Sequence, residues 1–220
     1  MSIQENLKRI QKEIPDSVKL IAVSKTKPIE DLKEAYEIGQ IDFGENKAQE
    51  LQNKSPQMPD DVNWHMIGHM QRNKVKYIAP FVHLIHAVDS WKLAKEIDKQ
   101  AEKNNRVINC LIQFHIADEE TKFGFDLNEF LESHTANNYH SLVNVKFIGV
   151  MGMATYTDDE NKIKSEFKKL KSIFETLKSD YQFQNFSEIS MGMSQDYHLA
   201  IEEGSTMVRI GSSIFGARNY

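Results

Sequence analysis

The sequence is short of the features that mark specialised proteins, and each shortage excludes a class. A single cysteine, Cys110, in 220 residues rules out an internal disulfide. That cysteine lies inside the apolar run Val107–Phe114, and a reduced, cytoplasmic protein is the expectation. Five prolines and 10 glycines are spread out rather than gathered into a linker, so residues 1–220 read as one domain. The longest uncharged apolar stretch, Phe147 to Ala154, is far too short to span a bilayer. The N-terminus, Met1 to Arg9, is amphipathic and holds no secretory core. Basic residues are not in excess either. A net charge of -5 argues against a general nucleic-acid or anionic-membrane surface.

What remains is a regular alternation of short apolar runs and helical periods. Ile3, Leu7, Ile10 and Ile14 keep helical spacing up to Pro15. Strands are expected at Lys19–Ser24, Ile41–Gly44, Asn63–Gly68, Val82–Val88, Val107–Phe114, Val145–Met151, Phe186–Met191 and Thr206–Ile210. Helices are expected between them: Ile29–Ile38, a polar one through Leu51, Arg72–Ile78, Trp91–Lys103 behind an Asp89-Ser90 cap, Leu127–His134, Glu160–Leu177 and one through Ala200 to Glu203. Eight strand-like runs alternating with helices point to an α/β protein, a single (β/α)8 TIM barrel with an extra N-terminal helix. A doubly wound open sheet is the runner-up.

In such a barrel the chemistry collects at the C-terminal strand ends. Strand one ends in Lys25, where partial desolvation would favour a nucleophilic amine over an ordinary surface charge. The other ends offer Asn46, Ile67-Gly68-His69, Asp89, His115, Met151-Gly152-Met153, Ser190 with Ser194, and Arg209 with Gly211-Ser212. Glycines let backbone N–H groups approach an anion and serines add donors, so the turns after strands seven and eight read as a phosphate cradle. A reactive lysine facing a phosphate cradle suggests pyridoxal 5′-phosphate (PLP) held as a Schiff base on Lys25. Arg209 would face the pyridine nitrogen and leave the ring a weak electron sink. The alternative for Arg209 is an ion pair inside the barrel with Glu45 or Glu188. His65 and His69 have a metal-like spacing, but that spacing brings two ligands together on a helix rather than on a strand. Asn73-Lys74-Val75-Lys76 reads as a solvated helix face.

Six ordered blocks then resemble a known family. They are Ala22-Val23-Ser24-Lys25-Thr26-Lys27-Pro28, Phe43-Gly44-Glu45-Asn46, Trp64-His65-Met66-Ile67-Gly68, Met191-Gly192-Met193-Ser194, Gly204 to Gly211, and Ile214-Phe215-Gly216-Ala217-Arg218. Together they closely resemble the pyridoxal phosphate homeostasis protein family, whose members are barrels similar to the N-terminal domain of alanine racemase. The resemblance implies PLP on Lys25, Arg209 near the ring nitrogen, phosphate held by Ser194, Gly211 and Ser212, and Asn46 near the cofactor. Two departures are local: His69-Met70-Gln71 replaces the usual Pro- or His-Leu-Gln, and Ser212-Ser213 stands where Thr-Ala is common.

The resemblance also implies a protein that stores or delivers PLP, with PLP-dependent apo-enzymes as partners; a monomer or weak dimer is expected. Racemisation would need a second acid–base group opposite the lysine. The chain ends at Tyr220 just after strand eight, and the strand ends offer no tyrosine opposite Lys25, so a carrier is expected rather than an enzyme. A small PLP-dependent amino-acid racemase is the alternative, and a cofactor-free Schiff-base aldolase a third reading.

Overall fold

The computed structural model describes residues 2–119, 123–136, 141–180 and 186–216. Eight parallel strands close into a barrel in chain order: β1 (Lys19–Val23), β2 (Asp42–Glu45), β3 (Asn63–Met66), β4 (Leu84–Val88), β5 (Ile108–Gln113), β6 (Val145–Met151), β7 (Glu188–Met193) and β8 (Met207–Ile210). The barrel expectation holds and the open sheet does not, because β1 pairs with β8 as well as with β2. Closure removes the two sheet edges that an open fold must protect.

The helices are α1 (Ile3–Glu13), α2 (Ile29–Tyr36), α3 (Ala48–Lys54), α4 (Val75–Ile78), α5 (Trp91–Lys103), α6 (Leu127–Ala136), α7 (Glu160–Asp180), α8 (Tyr197–Glu202) and α9 (Ser212–Phe215). Ser2 starts α1 with a capping box: its hydroxyl accepts from the Glu5 N–H at 3.2 Å and its own N–H donates to Glu5 Oε2 at 2.8 Å. The helix buries Leu7 and Ile10, and Asn6 Nδ2 reaches the Ile214 carbonyl at 3.1 Å. That bond fastens the first helix to α9, a short turn that periodicity did not reveal.

Strand alternation sorts the side chains. Phe43 and Trp64 face outward, their rings 6.1 Å apart within the apolar layer that joins barrel to helices. A second apolar cluster, Leu84, Ala87, Leu111, Met151 and Met207, runs from β4 to β8 through the barrel interior. Helix α7 is one turn longer than its apolar pattern, and the basic stretch from Arg72 begins as a 3-10 turn. Strand β7 is shifted two residues toward its C-terminus relative to the Phe186–Met191 expectation. The shift matters, because it moves Ser190 from the strand end into the barrel interior.

Candidate functional site

A cavity of ≈ 1090 Å³ opens at the C-terminal mouth of the barrel, at the upper end of the usual size for small-molecule sites. Lys25, Asn46, Ser194, Arg209, Gly211 and Ser212, picked from the sequence on strand position, all line it. They come from four strand ends and meet only because the sheet closes.

Lys25 follows β1 by two residues and keeps the inward parity of Ile21 and Val23. Its backbone is fastened from the outer side. Ser24 N–H donates to the Gly44 carbonyl at 3.0 Å, and Thr26 N–H, at a left-handed φ of 65°, donates to Glu50 Oε2 at 2.8 Å. The Ser24 hydroxyl donates to Glu45 Oε1 at 2.7 Å, and Lys54 Nζ donates to that same oxygen at 2.8 Å and to the Ser24 carbonyl at 2.9 Å. Burial pushes the Glu45 carboxyl up from its ordinary value, against the pull of Lys54 and Ser24. This cluster holds β1 and β2 together beneath the turn that carries Lys25. Lys27 lines the cavity as well, with Nζ donating to the Phe215 carbonyl at 2.7 Å.

Beside β1, at the end of its neighbour β8, Gly211 N–H donates to the Ser194 hydroxyl at 3.2 Å and joins the turns after β7 and β8. A Cβ on Gly211 would sit 2.9 Å from the Val23 carbonyl oxygen, so only glycine brings this backbone against β1. Gly192, at φ 91°, turns the end of β7 where a Cβ would lie 2.6 Å from Ala200. Helix α9 gives the Ser212 N–H no intrahelical acceptor, which leaves it as a donor at the cavity edge.

Arg209 is 4% exposed and pairs with neither Glu45 nor Glu188, which corrects the ion-pair alternative. Glu45 is held by Lys54 and Ser24, and Glu188 accepts from the Thr206 hydroxyl at 2.8 Å. The guanidinium instead donates to the Ser190 hydroxyl at 2.6 Å and to the Gly152 carbonyl at 3.1 Å. Burial brings its pKa down to about 10.

The two histidines with metal-like spacing part company, His65 into the barrel and His69 to the mouth. His69 Nδ1 lies 2.7 Å from Asp89 Oδ2 and its ring stacks on Phe123 at 3.9 Å. Among the described residues no three acidic, histidine or cysteine side chains are placed to hold a metal. His115 turns away to the Glu119 carbonyl at 2.8 Å and does not line the cavity. His69, offered by the end of strand three, lines the cavity, whereas sequence reasoning missed Gln113 and Tyr156. It expected no tyrosine opposite Lys25, yet Tyr156 of the β6–α7 loop lines the same cavity. Inward parity on β5 would have flagged Gln113, but nothing local marks a loop tyrosine. Lys122, Ala217, Arg218 and Tyr220 lie outside the described residues.

No described helix is long and apolar enough to cross a membrane. Residues 1–219 match the family described as alanine racemase, N-terminal domain. The pyridoxal phosphate homeostasis protein of Pasteurella multocida is 40% identical over 233 aligned residues, covering 100% of this chain and 99% of that one. The Aquifex aeolicus protein of the same name is 41% identical, over 97% of this chain and 96% of its own. A solved structure of PipY from Synechococcus elongatus with PLP bound superposes with a TM-score of 0.90 at 32% identity, over 98% of this chain and 100% of that one. Its PLP-free counterpart gives 0.92 at 33% identity, with the same coverage. Closed barrel and likeness over the whole of this chain agree: the chain belongs to the alanine racemase N-terminal domain family and, within it, to the pyridoxal phosphate homeostasis proteins.

Proposed function

We propose that this protein binds PLP covalently through Lys25 and serves intracellular PLP homeostasis, storing or delivering the cofactor to PLP-dependent apo-enzymes. The observation that carries the reading is the convergence of an amine, a buried guanidinium and a serine–glycine cradle on one cavity. That donor set fits an aromatic aldehyde carrying a phosphate: an amine for the carbonyl, N–H and O–H donors for the phosphate, and a cation where the ring would lie. When bound, PLP supplies a carbonyl that condenses with amines and a ring that withdraws electrons. The protein's own part is positional. Ser194 and the start of α9 hold the phosphate, Lys25 anchors the other end, and Asn46 borders the ring.

Arg209 brings a fixed positive charge to the ring. A guanidinium gives up its proton far less readily than a carboxylic acid does, so it limits carbanion stabilisation and favours holding over turnover. A second reading, racemase-type turnover, gains from Tyr156 and the His69–Asp89 pair, which bring acid–base groups to the same cavity. Incubation with PLP, borohydride reduction and intact-mass measurement test the first reading. One reduced adduct per chain is expected, and no adduct at saturating PLP would refute it.

A further inference from the structure

An unbroken file of polar side chains crosses the barrel interior beneath the cavity. Arg209 Nη1 meets Ser190 Oγ at 2.6 Å, Ser190 Oγ meets His86 Nδ1 at 2.9 Å, His86 Nε2 meets His65 Nδ1 at 3.0 Å, and His65 Nε2 meets Asp42 Oδ1 at 2.9 Å. Strands β4 and β7 are not neighbours, so the Ser190–His86 bond spans the barrel. Ser190, His86 and His65 are fully buried. Asp42 opens the first position of β2, at the opposite end of the barrel, beside Asn63 Nδ2 at 3.2 Å and the half-exposed Lys19 at 3.9 Å.

The chemistry of the two ends dictates where every proton sits. A guanidinium only donates and Asp42, as a carboxylate, only accepts; with both rings neutral, the order set from the Asp42 end leaves His86 Nδ1 an acceptor, so Ser190 Oγ accepts from Arg209 and turns its single hydrogen to His86 Nδ1. His86 then carries its proton on Nε2 and donates to His65 Nδ1. His65 likewise carries its proton on Nε2 and donates to Asp42, which as a carboxylate only accepts. Reversing any one bond would set two donors or two acceptors against each other in a dry interior, at the cost of an unsatisfied buried group.

We propose that Ser190, His86, His65 and Asp42 form a positioning relay that imposes one proton order along the barrel and aims Arg209 at the ligand cavity. The proposal rests on Arg209 as the ring-facing group of the proposed function. The relay residues do not touch the cavity, and they act through Arg209. Both imidazoles stay neutral because burial holds them below the ordinary histidine value. The charged or titratable groups facing them are Arg209, His83, Lys19 and Asp42.

The test begins on the ligand-free, full-length protein. Long-range proton–nitrogen NMR of histidine-labelled chain should report His65 and His86 as Nε2–H tautomers that do not titrate near about pH 6.5. An Nδ1–H tautomer or ordinary titration at either ring would overturn the relay. Asp42→Ala should disturb the His86 tautomer although Asp42 does not touch His86, and an unmoved His86 signal would refute the coupling. With PLP added, Ser190→Ala should shift the absorption band of the bound cofactor and weaken its hold by about tenfold, as for one hydrogen bond to a charged group. Ser190→Thr should restore both by returning the hydroxyl. An equal shift in His83→Asn, whose ring lies beside His65 but outside the file, would mean general loosening and overturn the proposal. A wild-type protein that bound no PLP while both rings stayed locked would remove the functional reading alone.

Discussion

Gly211 donates its backbone N–H to the Ser194 hydroxyl at 3.2 Å, and this one bond ties the turn after β7 to the turn after β8. The proposed phosphate cradle is therefore two loops held as a unit. Ser194→Ala removes the tie together with a hydroxyl donor. Its expected effect is a fall in PLP affinity of about tenfold, in the range of one charge-assisted hydrogen bond, with the melting temperature little changed. Fluorescence titration with PLP measures it, and unchanged affinity would place the phosphate elsewhere.

Lys25→Ala should abolish the borohydride-stable adduct and leave the fold intact. Lys25 sits beyond the last residue of β1 and adds little to the core, while the turn is fastened through Ser24 and Thr26 instead. Peptide mapping of the reduced wild-type protein should locate the adduct on Lys25. An adduct on Lys27 or Lys122 would contradict the assignment.

Gly68→Ala tests how closely β3 approaches Asn46. A Cβ there would lie 2.5 Å from the Asn46 carbonyl oxygen, so the backbone beside the cavity must shift. Such overpacking typically costs about 1–3 kcal/mol, a loss of roughly 2–4 °C in melting temperature per kcal/mol for a chain of this size. PLP affinity should fall with it. A variant as stable as wild type would mean that this turn is softer than the close contact implies.

Stability should decline in mild acid. His65 and His86 are held below their ordinary values by burial, so the unfolded chain binds the extra protons first. Their contribution is fully present above about pH 6.5, the unfolded value, and is lost as pH falls toward the folded values. Asp42 behaves in the same sense at lower pH. Burial raises its carboxyl, but the His65 hydrogen bond and Lys19 outweigh that and hold it below the ordinary value. Melting curves between about pH 7.5 and 5 should show the drop, and His86→Phe should flatten it. A flat wild-type profile would show that neither ring is neutral and buried in solution.

The carrier reading predicts slow chemistry. Solvent-deuterium exchange at Cα of alanine or serine, followed by NMR, should proceed no faster in the loaded wild type than over hours. Lysine-dependent exchange within seconds would establish an enzyme. Loss of that exchange in Tyr156→Phe or His69→Asn, by about 10²–10⁴-fold, would then identify the second acid–base group.

The sequence by itself determined the order of strands and helices, the closed barrel they imply, and the residues at the strand ends. These follow from local causes: apolar runs bounded by Gly and Pro, caps such as Ser90, and the period of two that turns Lys25 inward with Ile21 and Val23. The ends of β7 were misjudged by two residues because Met193 pairs with Arg209 of β8 across a register shift that no local signal encodes. Only the tertiary structure decided the partners of Arg209. Sequence offered Glu45 and Glu188 as charges of the right sign. Closure of the sheet instead brought Ser190 of β7, His86 of β4, His65 of β3 and Asp42 of β2 into one file with Arg209 of β8, residues up to 167 positions apart in the chain. A hydrogen bond depends on distance and direction across the barrel, and the spacing of residues along the chain fixes neither.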